Sequence, residues 1–150
     1  MIYYLIIAAV ILSDRAAKHV VSSNMQTGDT IPVIENIFHI TYVRNTGAAF
    51  SMWEEQWSII VAFPAIVLAV GLVMLFLKRR SWSMPMKLAI AFICGGGIGN
   101  FIDRVSMGYV IDFFDFRVFP VFNIADIFIC VGCGLMILEI LVLERKRSGK

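Results

Sequence analysis

Between Gly99 and Asp126 the chain carries four aspartates, Asp103, Asp112, Asp115 and Asp126, interspersed with Asn100, Arg104, Arg117 and Asn123. Long apolar runs flank this stretch on both sides. Ionisable groups are costly at such a place, and their presence points to a functional site. Three kinds of chemistry suit several carboxylates held together. Two carboxyls in close contact cannot both ionise readily, so one keeps a proton where the other has lost it. Such a pair can activate a water with one member and protonate a scissile carbonyl oxygen with the other. Asp and Asn oxygens also suit a hard cation, whereas the absence of histidine among these acids argues against zinc. The third possibility is a structural network of Asp–Arg and Asp–Lys pairs tying helix ends together, which perturbs ionisation much as an active site does. Residue types alone leave the three open.

The elements that must position these acids come from a strongly apolar chain. It has 150 residues, 59% of them hydrophobic and 16% charged, and its mean hydropathy is +0.82. Soluble domains average about 45–50% apolar and about 25% charged residues, and a chain this short cannot hide the excess in a soluble core. A polytopic membrane protein is expected. Met1–Leu12 lacks any charged side chain and lacks the basic start of a signal peptide, so residues 2–22 read as a first membrane helix. Further spans are expected at 58–77, 86–103 and 123–143, with Pro64 a possible kink and Pro85 opening the third. Gly95-x-x-x-Gly99 lets the third helix approach a neighbour closely. Residues 23–56 are different: turn residues at 22–29, then β-branched and aromatic residues with alternation clearest at 38–42, which suggests two short strands joined near Glu35-Asn36. Trp53 and Trp57, flanking Glu54 and Glu55, suit an interfacial anchor. No repeat divides the chain, and one domain is expected.

Charge supplies the topology. Lys78, Arg79, Arg80 and Lys87 form one basic cluster, and Arg145, Lys146, Arg147 and Lys150 the other. Both are expected on the cytoplasmic side, with both termini there. The first and third spans then run outward and the fourth inward, so Asp14, Lys18, Asn100, Asp103, Arg104, Asp112, Asn123 and Asp126 meet at one depth near the outer surface. Asp14 and Lys18 are spaced i, i+4 and Asn123 and Asp126 i, i+3, so each pair shares a helix face. A net charge of +2 without a basic, groove-reading face speaks against nucleic acid. Cys94, Cys130 and Cys133 lie in apolar segments and read as small packing residues. His19 and His39 have no evident serine or cysteine partner, and the glycine run lacks the ending of a phosphate loop.

Five strings in order resemble one family. They are D-R-A-A-K at Asp14–Lys18, N-T-G-A-A-F-S at Asn45–Ser51, G-N-F-I-D-R at Gly99–Arg104, V-I-D-F at Val110–Phe113 and F-N-I-A-D at Phe122–Asp126. Together they resemble the bacterial lipoprotein signal peptidases, the signal peptidase II family of membrane aspartic proteases. The resemblance implies an all-α membrane protein, a four-transmembrane-helix bundle whose residues 23–56 form a small extramembrane β-cradle with a short interfacial helix near Trp53 and Trp57. It implies that Asp112 and Asp126 are a catalytic dyad; spacing alone does not choose Asp112 over Asp103 or Asp115. Supporting or substrate-binding roles fall to Asp14, Lys18, Asn45, Gly47, Asn100, Asp103, Arg104, Asn123 and Ala125. The implied reaction is removal of the signal peptide from prolipoproteins on the amino side of the diacylglyceryl-modified cysteine, with no metal and no cofactor. The implied setting is the bacterial inner membrane, with lipid and lipidated substrate as partners and the protein working as a monomer. Two departures stand out: Arg15 replaces a Gln common in the family, and the segment between the dyad residues, Phe113–Ala125, is short.

Overall fold

The computed structural model describes residues 1–47 and 57–148, with side chains described for 1–47 and 60–142. The expected helix near Trp53 lies outside the described residues, as do the side chains of both tryptophans. Among the described residues four helices form: α1 (Ile2–Asn24), α2 (Trp57–Leu77), α3 (Met84–Met107) and α4 (Ile124–Ser148). Three strands accompany them: β1 (Thr30–Ile34), β2 (Phe38–Asn45) and β3 (Val110–Asp115). The helix α3 is central, with α1, α2 and α4 all packing on it. Its ends are set locally. The Ser83 hydroxyl accepts the Met86 N–H at 3.2 Å, and Gly108 stops the helix in the left-handed conformation, φ +82°, which glycine adopts without a Cβ penalty. The helix therefore runs four residues past the expected end at 103.

Three helices contain segments long and apolar enough to cross a membrane: Ile60–Leu77, Met84–Met107 and Ile124–Val142. Side chains such as Phe63, Val70 and Phe76 of α2 and Leu138 and Leu141 of α4 are exposed, as a lipid-facing surface requires. The helix α1 is long enough at 23 residues but carries Asp14, Arg15 and Lys18. Asp14 and Lys18 turn inward and are fully buried, while Arg15 stays partly exposed. Ile7, Leu68, Leu75, Ala91 and Cys94 make an apolar core among α1, α2 and α3. Cys94 thus packs as expected, whereas Cys130 and Cys133 lie on the exposed face of α4.

Close approach at two glycines brings the helices to the distance the site needs. A Cβ on Gly96 would stand 2.3 Å from the Ala125 carbonyl oxygen of α4, and one on Gly99 would stand 2.7 Å from Asp14 Oδ2 of α1. The expected role of this small-residue face is thereby met on two sides of α3.

The sheet has the order β1-β2-β3, antiparallel throughout. The β1–β2 hairpin turns where the sequence suggested, with Asn36 at φ +60°, a conformation Asn tolerates better than most residues. The third strand replaces part of the loop expected at 104–122. It is buried along nearly its whole length, so the polar/apolar alternation that marks a half-exposed strand is absent. It pairs Val43 with Asp112 and Asn45 with Val110. A second core of Val21, Tyr42, Ile111 and Phe113 ties the sheet to the end of α1.

Candidate active site

Asp112 and Asp126 are bridged by one residue. Asn123 Nδ2 donates to Asp112 Oδ1 at 2.7 Å, and the Asn123 backbone N–H donates to Asp126 Oδ2 at 3.1 Å. In return Asn123 Oδ1 accepts the Asp126 N–H at 3.0 Å. The reciprocal pair is a capping box at the start of α4, with Asn123 as cap and Asp126 in the first turn. The i, i+3 spacing is the sequence signature of that device. It also puts the Asp126 carboxylate at the positive end of the α4 dipole, where negative charge is favoured.

Asn100 supplies the next link. Its Nδ2 donates to Asp126 Oδ1 at 2.8 Å, so both carboxylate oxygens of Asp126 hold an N–H. The orientation of this amide is fixed from the other side, because Asn100 Oδ1 accepts from Lys18 Nζ at 2.9 Å and from Asn123 Nδ2 at 3.0 Å. Lys18 Nζ also pairs with Asp14 Oδ2 at 2.7 Å and Asp103 Oδ2 at 2.8 Å. The ammonium thus donates one hydrogen bond, to Asn100, and lies between two carboxylates in ion pairs. A buried charge persists only when paired and hydrogen-bonded, and this ammonium, 1% exposed, is both.

Asp14 and Asp103 each join two elements. Asp14 Oδ1 accepts the Ala125 N–H at 3.0 Å, joining α1 to the first turn of α4. Asp103 Oδ2 lies 3.4 Å from the Ile111 N–H, joining α3 to the strand that carries Asp112. Its Oδ1 contacts Arg15 Nη1 at 2.5 Å. Arg15, where the family often has Gln, thus makes a second ion pair to Asp103.

Asp112 is 2% exposed. Asn45 Nδ2 donates to its Oδ2 at 2.8 Å, and the Gly47 N–H donates to Asn45 Oδ1 at 2.9 Å, which fixes the amide with its NH₂ toward Asp112. Gly47 reaches that position at φ +81°, where a side chain would be strained. Burial, followed by the negative charge of Asp126, outweighs the Asn45 and Asn123 donors and pushes the Asp112 carboxyl up to about 6. It keeps a proton to higher pH than an ordinary aspartate does.

Of the residues given site roles by the resemblance, Arg104 alone stays out of this network among the described contacts. It lines a cleft of about 330 Å³ with Asn100 and Asp126, whose other walls include Phe63, Pro64, Leu68, Ile93 and Ile129 of α2, α3 and α4. The cleft is polar at Asn100, Arg104 and Asp126 and apolar along the helices. Asp115, in a run of aromatic residues, is closed to water at 5% exposed. It accepts from Thr41 Oγ1 at 2.8 Å, the Arg117 N–H at 2.8 Å and Arg117 Nη1 at 2.9 Å. The Arg117 N–H, then Thr41, holds its carboxyl below the usual range. Thr41 as a partner of Asp115 and Arg15 as a partner of Asp103 were not foreseen, since only strand register and helix contact bring them there; Arg117 reaches Asp115 locally, two residues along.

Comparison with known proteins agrees with this architecture. The family profile described as signal peptidase (SPase) II matches residues 6–142. A lipoprotein signal peptidase of Clostridioides difficile is 43% identical over 97% of this chain and 99% of its own length. One from Brevibacillus brevis is 38% identical over 97% and 99% respectively. A bacterial membrane enzyme solved by the in meso method at 2.3 Å superposes with a TM-score of 0.85 at 33% identity, covering 99% of this chain and 90% of that one. With the profile spanning nearly the whole sequence and relatives of this identity, the chain belongs to the signal peptidase II family and is a membrane-embedded protease.

Proposed function

We propose that this protein removes the signal peptide from bacterial prolipoproteins, cutting on the amino side of the diacylglyceryl-modified cysteine, with Asp112 and Asp126 as its catalytic dyad. The observation that carries the dyad is the single residue Asn123, hydrogen-bonded at once to both carboxylates. Asp112, buried and raised to about 6, is the member assigned the proton in the reacting form. Asp126, on the positive end of α4 and facing the cleft, is the base. It takes a proton from a water as the water oxygen bonds to the scissile carbonyl carbon, while Asp112 protonates the carbonyl oxygen. The gem-diol then collapses. Asp126 passes its proton to the departing amine of the cysteine, Asp112 recovers one from a gem-diol hydroxyl, and the signal peptide leaves with a new carboxylic acid.

The remaining residues position this pair: Asn123, Asn100 and Asn45 by direct hydrogen bonds, Lys18, Asp14, Asp103, Gly47 and Ala125 through those. Arg104, at the cleft beside Asp126, binds substrate. A substrate that carries its own lipid must be cut at the bilayer edge, and a cleft with apolar helical walls and a polar end suits it.

The same reading makes α1 the fourth membrane span, its Asp14 and Lys18 being turned inward, and the chain one integral domain with residues 23–56 as an extracytoplasmic cradle. The basic clusters put both termini in the cytoplasm of the inner membrane and the dyad near the outer face. The protein works as a monomer. A gel-shift assay on a diacylglyceryl-modified preprolipoprotein beside its unmodified form tests the reaction. Cleavage of the modified form alone is expected; equal cleavage of both, or of neither, refutes the substrate assignment.

A further inference from the structure

The segment between β3 and α4 has a surface that the proteolytic reaction does not use. From Phe116 to Pro120 five consecutive residues are exposed. They include Val118 at 94%, Phe119 at 63% and Phe116 at 44%. In a loop facing water, so much apolar surface in so short a stretch is a marker of an interaction site.

The loop is built to present these side chains. Arg117 adopts φ +66°, an uncommon conformation for a residue other than glycine, and is held there by its N–H and Nη1 bonds to Asp115. The Val118 N–H turns back to the Phe116 carbonyl at 2.7 Å. The Phe116 ring lies 4.8 Å from that of Phe38 and stacks parallel to that of Phe122 at 5.9 Å. Phe122 in turn pairs its backbone with Phe113 and Phe114. The tip is therefore fixed to the strand that carries Asp112.

What covers the tip follows from what lies beside it. Val105, in the last turns of α3, is 56% exposed, and Ile127, in the first turn of α4, is 41% exposed. Both helices are apolar enough to span a membrane, and the loop starts and ends between those two residues in sequence. The loop thus joins the ends of two helices that carry exposed apolar side chains and are apolar enough to span a membrane. No acidic side chain is exposed from Phe116 to Pro120. Arg117, about half exposed, has guanidinium hydrogens left over for lipid phosphates, as snorkelling cations at interfaces do.

We propose that the Phe116–Pro120 loop inserts into the headgroup–acyl boundary of the bilayer and, through β3, fixes the depth of Asp112 relative to the lipid surface. This rests on the membrane-embedded reading of the helices, and its test does not depend on the reaction assigned above. With Cys94, Cys130 and Cys133 replaced by Ala, a bimane label is placed at Val118→Cys, or at Arg80→Cys as a water-facing control. Each variant is put in substrate-free phosphatidylethanolamine/phosphatidylglycerol nanodiscs. The Val118 label is expected to be quenched strongly by lipids brominated high on the acyl chain and only weakly by aqueous iodide, with the reverse order at position 80. Equal access of iodide to both labels overturns the proposal. So does shielding at 118 that appears only when lipidated substrate is added, which would make the loop a substrate surface. A Val118→Ser/Phe119→Ser double variant gives a second reading. Losing this apolar burial should slow processing in nanodiscs by about tenfold while leaving processing in detergent micelles unchanged; equal rates in nanodiscs count against the anchor.

Discussion

Replacing Gly96 by alanine tests whether the dyad depends on the close approach of α3 to α4. The new methyl would stand 2.3 Å from the Ala125 carbonyl oxygen and 2.9 Å from Ile129 Cγ1. The first neighbour is backbone, which no rotamer change can move aside. Reaching ordinary van der Waals distance requires the helices to part by about 1 Å. Ala125 precedes Asp126, and Asn100 sits one turn after Gly96, so the separation falls on the 2.8 Å bond between Asn100 and Asp126. Overpacking of this kind costs about 1–3 kcal/mol of stability, and misplacing a catalytic group by about 1 Å can cost about 10²-fold in rate. Gly134 of α4 is the control, because a Cβ there meets nothing within 4 Å. Processing of a lipidated preprolipoprotein in detergent, followed by gel shift, with thermal unfolding of the same samples, separates the two effects. We expect Gly96→Ala to lose about two orders of magnitude in turnover at a modest loss of stability. Gly134→Ala should keep wild-type turnover and gain up to about 1 kcal/mol from helix propensity. Wild-type turnover in Gly96→Ala would show that the α3–α4 distance does not set the dyad.

Three other outcomes follow from the network. Lys18→Met leaves Asp14 and Asp103 buried without their shared cation and should cost about 3–5 kcal/mol, read as a large drop in thermal stability; a stable variant would show that the ammonium is not what holds α1 to α3. Arg15→Gln removes only the half-exposed partner of Asp103, 42% exposed, while Lys18 stays. The loss should be about 1 kcal/mol or less and should shrink in high salt. Asn45→Ala removes a donor that favours the Asp112 carboxylate, so the carboxyl rises above about 6. Activity needs that proton, is present below the folded pKa and is lost as pH rises through it. The alkaline limb of the kcat/KM profile should therefore move to higher pH, and a downward shift would contradict the assignment of the proton to Asp112.

Much of this arrangement is legible in the sequence because membrane helices announce themselves by length and hydropathy. The apolar runs after Trp57 and Pro85 and after Asn123 give α2, α3 and α4 to within a few residues at most ends, and the i, i+4 spacing of Asp14 and Lys18 gives their pairing. What escapes is contact between elements. Lys18 reads equally well as one half of an interfacial ion pair, and only the packing of α1 on α3 shows it shared among Asp14, Asp103 and Asn100. The strand Val110–Asp115 reads as loop because both its faces are covered. Asp115 reads as solvated because its partner Thr41 arrives through the register of β2. Asn123 and Asp126 carry a signal that spacing does give: an Asn followed three residues later by an acid, just before an apolar run, marks a capping box. It shows why one dyad residue sits in the first turn of a helix.

The most direct test of the dyad is single-turnover processing of a diacylglyceryl-modified preprolipoprotein by Asp112→Asn and Asp126→Asn, each shown by thermal unfolding to be folded. Both variants should bind the substrate and leave it uncut. Cleavage at the wild-type rate by either folded variant would remove that aspartate from the chemistry and return the carboxylates to a structural role.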